Sequence, residues 1–441
     1  MLGYGPTGAT QSGHFGIGEN NLARILEQHE RQKMTMGECL LVGQFPVEAL
    51  PHLEADAAKH PEMWGHWNNL GICKKYLGDY AGSIQAFNRA LALLPDSPHI
   101  HHNYAMACEE VGDFNGALAH YARAAANSQN PDAHYGFAQA ALRDGKFDAA
   151  LQVWEAARIS KRSAIFIPNL EVWRGQDLGG KKVLVTREGG YGDTFWLMRY
   201  LKPLKDQGAH VTFHMFKSLA PLLTGHPWID RVLTPDDEIN EQEFDYQVPL
   251  WSIMWELYKK DKKCVPLGMG EPYIKSNTPK YFPTPSVGIV WKAGEMLAIH
   301  RKLRSIQDEL LPELAKTPVN WFSLVPGEKP DWCVNGIAAL ADGWKTTADW
   351  IAGLDFVVSA DTSTFHLAAA MGKPTLVFCP KNRDWKFFRS GETSPWYPSV
   401  KVISNPDPVS FKPVVDRIVE EVTRWAESRS IADLQLQEVC T

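Results

Sequence analysis

The chain has 441 residues, 44% hydrophobic and 22% charged, with a net charge of −6. This is the composition of a globular protein of about three domains, with no basic excess to footprint a nucleic-acid backbone. Seven cysteines without a C-x-x-C pair indicate neither a disulfide framework nor a zinc site, and fit a reducing, cytoplasmic setting.

Residues 1–30 read as a flexible Gly-rich tail with no basic and apolar leader pattern. No apolar run approaches the ~20 residues of a membrane span. A periodic region comes next. Gly78-Asp79-Tyr80 recurs as Gly112-Asp113-Phe114 and Gly145-Lys146-Phe147, 34 and 33 residues apart, with a weaker copy at Gly43-Gln44-Phe45. Each Gly is flanked by aromatic and Ala positions, such as Ala86-Phe87-x-x-Ala90 and Val153-Trp154-x-x-Ala157, and Pro61, Pro95 and Pro131 punctuate the units. Two helices per unit with a Gly turn resemble tetratricopeptide repeats, assigned to residues 31–165. Such arrays stack into a superhelix whose concave face binds a peptide or another domain; packing on the rest of the chain and capture of a partner are both open.

Beyond the repeats, apolar strands alternate with helices. Val183–Thr186, Val211–His214, Arg231–Leu233 and Phe244–Val248 predict one parallel sheet over 166–278. A Pro-, Ser- and Thr-rich linker spans 276–285. Strands then restart at Val287–Trp291, Trp321–Val325, Phe356–Ser359, Thr375–Phe378 and Val400–Ile403, within a second domain assigned to 279–441 and closed by a helix from Val409 to Ser428. The fold class is α plus α/β, an all-α superhelix followed by two Rossmann-like domains. Ligands in such sheets sit beyond the carboxyl ends of the strands.

Three segments fall at that edge. Asp361-Thr362-Ser363-Thr364-Phe365-His366 opens a helix ended by Gly372; it is either an over-determined cap or a phosphate site made of hydroxyls, free N–H groups and His366. Arg187-Glu188-Gly189-Gly190-Tyr191-Gly192-Asp193 permits close backbone approach, with Asp193 as a general base or a helix cap. His300-Arg301-Lys302-Leu303-Arg304-Ser305 is either a cationic loop for a leaving diphosphate or a solvated basic face. The turn at 187–194 is neither a G-x-G-x-x-G fingerprint nor a Walker motif.

Gly192-Asp193-Thr194, Arg199-Tyr200, Val287–Trp291, Arg304-Ser305, Asp361-Thr362-x-x-x-His366 with Gly372-Lys373-Pro374, and Ser394-Pro395-Trp396-Tyr397-Pro398 resemble bacterial tetratricopeptide-repeat proteins with a heptosyltransferase-like glycosyltransferase domain of the GT-B fold. The resemblance implies an inverting transferase that moves a hexose or heptose from a nucleotide-diphosphate sugar to a hydroxyl and needs neither cofactor nor metal. It implies that the first α/β domain takes the acceptor and the second the donor. Asp193 is then the catalytic base. Gly192, Lys292, Arg304, Ser305, Asp361, Thr362, Ser363, Thr364 and His366 bind the donor and its phosphates. A peptide, protein or glycan acceptor fits the repeat groove, and a modified DNA base stays open as an acceptor. The competing class is a non-catalytic repeat scaffold carrying a relic GT-B domain.

Overall fold

The structure, a computed structural model, describes residues 34–126, 129–160, 165–263, 270–294, 304–338, 343–407 and 409–439. The Gly-rich tail and His300-Arg301-Lys302-Leu303 of the basic loop lie outside the described residues. Contacts group the chain into two compact units, residues 1–108 and 109–441. No described helix is long and apolar enough to cross a membrane.

The first unit is antiparallel helix pairs, among them Pro46–Lys59, Trp64–Tyr76 and Tyr80–Leu93. Their period has a local cause. Gly78 sits at φ +82°, the left-handed turn that glycine adopts most cheaply, and the next residue, Asp79, caps the following helix by accepting from the Gly82 N–H at 2.9 Å. Gly71 has another reason, since a Cβ there would lie 2.6 Å from the Phe87 ring. The weak copy departs from this pattern: Gly43 has helical φ, and Gln44 takes the positive φ of 68° instead.

The second unit begins within the array. Gly112 and Gly145 repeat the left-handed turn at +82° and +72°, and Asp113 repeats the cap on Gly116 N–H at 2.9 Å. Helices Phe114–Ala126, Pro131–Arg143 and Phe147–Ser160 complete the repeats. Two wholly parallel sheets follow, in strand orders β3-β2-β1-β4 and β10-β9-β8-β5-β6-β7. In the first, β1 is Lys182–Thr186, β2 His210–His214, β3 Arg231–Leu233 and β4 Tyr246–Pro249. In the second, β5 is Ser286–Val290, β6 Asn320–Ser323, β7 Asn335–Gly336, β8 Phe356–Ala360, β9 Thr375–Cys379 and β10 Val400–Ser404. Strands buried on both faces, such as Val183-Leu184-Val185 and the whole of β9, explain the unbroken apolar runs in the sequence.

Two boundaries differ from expectation. The helix after β1 starts at Tyr191, ahead of the Asp193 that the sequence offered as its cap, because Gly190 takes the cap position in an extended conformation. That places Gly192 and Asp193 inside the first turn. The last helix is Lys412–Val439, since Asp407 accepts from the Val409 and Ser410 N–H groups and holds that stretch as a turn. The 276–285 linker lies along the Trp344–Gly353 helix, with Ser276 donating to Asp349 at 2.5 Å.

Order in each sheet reverses at one place. In the first sheet β1 has β2 on one side and β4 on the other; in the second β5 lies between β6 and β8. Carboxyl ends at such reversals leave a crevice, where α/β proteins bind ligands. Buried Arg199 locks the two α/β domains together, donating to the Trp396 carbonyl at 2.6 Å and the Tyr273 hydroxyl at 3.0 Å.

Candidate active site

A cavity of about 1030 Å³ lies at both reversal points, and its lining includes Asp193, Arg304, Asp361, Thr362, Ser363, His366 and Lys386. Its floor is made where two helix N-termini meet. A Cβ on Gly192 would stand 3.0 Å from the His366 ring and 3.5 Å from Ser363 Cα. Gly192 is therefore the residue that lets the Tyr191–Leu197 and Ser363–Ala370 helices touch.

The turn after β1 fixes Asp193. Gly189 has φ +71°, and a Cβ there would lie 2.3 Å from the Asp193 carboxylate. The Gly190 N–H donates to Asp193 Oδ2 at 2.8 Å, which orients the carboxyl and leaves Oδ1 for other work. Loss of solvent raises its affinity for a proton above that of an ordinary aspartate, opposed by the Lys386 ammonium and the Gly190 N–H. A half-buried carboxyl of raised basicity in a cavity has the properties of a general base.

The Ser363–Ala370 helix bears on the two readings of its sequence. Thr362 occupies the cap position in an extended conformation, yet no side chain accepts a hydrogen bond from the first helical N–H groups. Asp361 is turned elsewhere. Its carboxylate lies 3.3 Å from Arg304, and 3.8 Å from both Lys386 Nζ and His366 Nε2. The abundance of capping residues in the sequence thus does not cap. The helix start faces the cavity with its dipole and N–H groups uncompensated by side chains, the arrangement that holds an anion.

Arg304 donates to the Asp361 carbonyl as well, tying the loop after β5 to the turn after β8 across the reversal point. Lys386, from the short helix Trp385–Phe387 that follows β9, is the second cation. Burial works against its charge, but Asp361, Asp384 and Asp193 more than offset this and hold its proton well above the usual lysine range. His366 is 3% exposed. Burial, then the Lys386, Arg199 and Arg304 cations, push it well below its ordinary value, so it is neutral. Its Nδ1 shares a hydrogen bond with the Tyr397 hydroxyl at 3.1 Å. It acts as a wedge between the two helices and a support for Asp361.

Of the residues singled out in the sequence, Gly192, Asp193, Arg304, Asp361, Thr362, Ser363 and His366 come together on this cavity. Lys292, Ser305 and Thr364 do not line it. Lys292 pairs with Glu328, Ser305 accepts from the Ala293 N–H at 3.0 Å and shapes its own loop, and Thr364 is turned into the protein. Sequence reasoning passed over Lys386. The signal was available, since Lys381-Asn382-Arg383-Asp384-Trp385-Lys386 comes directly after an apolar strand and so belongs to the same edge.

It also missed a whole wall. Glu109, Tyr135, Gln139, Arg143, Trp154 and Arg158 of the repeats line the cavity. Trp154 stacks on Tyr135 with ring centroids 4.5 Å apart, and packs on Trp251 at 5.4 Å and Trp385 at 6.0 Å. Trp196 joins the cluster at 5.1 Å from Trp251 and 5.3 Å from Trp385. Arg143 and Glu109 form a buried ion pair at 2.6 Å, and Asn382 donates to the same carboxylate at 3.3 Å. The last repeats therefore pack on the α/β domains and enclose their crevice.

Tetratricopeptide-repeat models match residues 43–100 and 109–163. Protein FlbA of Caulobacter vibrioides is 26% identical over 454 aligned residues, covering 93% of this chain and 73% of that protein. Among solved structures, a glycosyl transferase family 9 protein from Veillonella parvula is 11% identical, with a TM-score of 0.40 over 53% of this chain and 88% of its own. TibC of enterotoxigenic E. coli, described as an iron-containing dodecameric glycosyltransferase, is 12% identical, with a TM-score of 0.39 over 53% and 67%.

Proposed function

We propose that the chain is a glycosyltransferase that moves a sugar from a nucleoside-diphosphate donor to a hydroxyl group with inversion. The observation that carries this reading is the single cavity in which an uncapped helix start at Thr362-Ser363 and two cations, Arg304 and Lys386, stand with Asp193. The anion side receives the diphosphate. Asp193 removes the proton from the acceptor hydroxyl, whose oxygen attacks the anomeric carbon from the face opposite the leaving group. The bond from that carbon to the diphosphate oxygen breaks, and the nucleoside diphosphate leaves with its charge met by Lys386, Arg304 and the helix dipole. Fixed cations aimed at the leaving oxygen can do the electrostatic work that a bound divalent ion does elsewhere, so the reaction proceeds without an added metal. The second α/β domain takes the donor; the acceptor enters from the side of the first α/β domain and the repeats.

Calorimetric titration with UDP, GDP, ADP and dTDP, each against its nucleoside, tests the site. One diphosphate is expected to bind at least about tenfold more tightly than its nucleoside, ~1.4 kcal/mol. Equal affinities across all four pairs would overturn the reading.

A further inference from the structure

We propose that Arg158, on the last repeat helix, is a positioning residue for Asp193: it clamps the Glu188-Gly189-Gly190 turn on which that carboxyl rests. The proposal builds on the reading of Asp193 as the base.

Arg158 is 3% exposed and Glu188 2%. The Arg158 guanidinium donates to Glu188, to Glu155 one turn back on its own helix, and to Ser252 Oγ at 2.7 Å. Ser252 in turn donates to Glu155 at 2.6 Å. One planar fork thus joins three segments: the last repeat, the turn after β1, and the helix after β4. Those last two flank the reversal point of the first sheet. From Glu188 the chain runs through Gly189, whose positive φ leaves no side chain to stiffen it, to Gly190, whose N–H holds Asp193. Two consecutive glycines make a soft turn. On the helix side the turn is held by Thr194, whose hydroxyl donates to the Gly190 carbonyl at 3.2 Å; on the strand side it is held by the Glu188 carboxylate, and the repeat array supplies that carboxylate's partner. A buried ion pair contributes little net stability against an apolar replacement, whereas its fixed geometry orients what is attached to it. The clamp explains why buried charge sits at this junction of repeat and α/β domain rather than more of the adjoining Trp cluster.

The test uses the full chain with Arg158→Met, Arg158→Lys and Glu188→Gln. Glu188→Gln is nearly isosteric and leaves the Arg158 contacts to Glu155 and Ser252, so it serves if Arg158→Met does not fold. Two measurements are made on each folded variant: hydrogen exchange across residues 188–194 and 362–366, and hydrolysis of whichever UDP-, GDP-, ADP- or dTDP-sugar the wild type consumes. Exchange in 188–194 is expected to rise by about tenfold or more, with 362–366 unchanged, since only local opening is affected. Turnover is expected to fall by about tenfold or more, because misplacement of a reacting group on the order of 1 Å costs about 10²-fold. Diphosphate affinity should stay within about twofold, and Arg158→Lys should recover part of the loss, an ammonium replacing one arm of the fork. Unchanged exchange at 188–194 in a folded variant overturns the clamp. So does a loss of turnover matched by an equal loss of diphosphate affinity, which a general structural role would give. If the wild type consumes no nucleotide sugar, the reading of Asp193 as a base fails, and the exchange data still decide the clamp.

Discussion

Asp193 and Lys386 are best understood as a pair with opposite stability signatures. Burial raises the Asp193 pKa, so the native state binds that proton more tightly than the unfolded chain does. Its negative form therefore costs stability at neutral pH, and the cost disappears on acidification through the ordinary carboxylate range. Asp193→Asn removes the cost. It should melt no lower than wild type at pH 7 while losing about 10²-fold in turnover, the size of a lost general base. A wild-type rate in that variant, or a large drop in melting temperature, would reduce Asp193 to a structural cap. The same shift sets the pH profile: the acid limb of kcat/KM should fall above 3.8, the unperturbed aspartate value. Lys386 lowers the Asp193 pKa, so Lys386→Met should move that limb to still higher pH, as well as weaken diphosphate binding by about tenfold, ~1.4 kcal/mol. An unmoved limb would separate the two groups electrostatically. Asp193 was legible in the sequence through its glycines; Lys386 has no such marker, since the stretch Lys381–Lys386 after the Thr375–Phe378 strand holds no glycine or hydroxyl cluster to set it apart.

At the scale of elements, the two Gly- or Thr-rich turns declare themselves by composition, and their helices by the apolar runs behind them. Strand positions were legible because doubly buried strands need unbroken apolar runs. Which side chain in a polar cluster caps and which faces the ligand was not legible, since Asp361, Thr362 and Ser363 all have the chemistry for either. The fold decides by placing Arg304 and Lys386 where Asp361 turns to meet them. Lys292 lies off the cavity and pairs with Glu328, 36 residues away in sequence. The Ser363–Ala370 helix then predicts a split between variants. Any stability lost in Asp361→Ala should come from the Lys386 and Arg304 charges left without their carboxylate and not from a removed N-cap, because the carboxylate bonds no helical N–H. The same variant should change diphosphate affinity through those two cations. His366→Ala should act through packing and support of Asp361 rather than loss of a charged donor, because the ring is neutral. Its pKa, lowered in the native state from 6.5, also makes the wild-type chain lose stability as pH falls below 6.5, where the unfolded state gains a proton that the native state refuses. Denaturant melts of wild type and His366→Ala at pH 7.5 and 5.5 measure that term; an equal pH response in both would assign it to other groups.

At the scale of the molecule, the period of the repeats was readable but their destination was not. Trp154, Tyr135 and Arg158 occupy ordinary helix positions in the repeat pattern, and nothing in a 34-residue period says that one face meets a sheet edge instead of solvent or a partner. The packing answers through three kinds of contact: the Trp154–Trp251–Trp385 cluster, the Arg158 junction, and the Glu109–Arg143–Asn382 network. The last repeats, joined in this way, are part of the core of the α/β unit rather than an appended adaptor. A chain starting at Ile165 loses every one of these contacts. It also leaves Trp251 and Trp385 on an open face and removes the cavity wall formed by Tyr135, Gln139 and Trp154. Truncating one buried Trp alone typically costs about 3–5 kcal/mol, a large part of the ~5–15 kcal/mol that keeps a domain folded. That fragment should aggregate or melt far below the full chain, and should not bind nucleoside diphosphate measurably. A chain starting at Pro95 keeps all three sets of contacts and should retain a cooperative melt and diphosphate affinity within about twofold of the full chain, ~0.4 kcal/mol. Thermal melts and diphosphate titrations of both fragments beside the intact protein make the comparison. A well-folded, nucleotide-binding fragment from Ile165 would return the last repeats to the role of a detachable partner-binding arm.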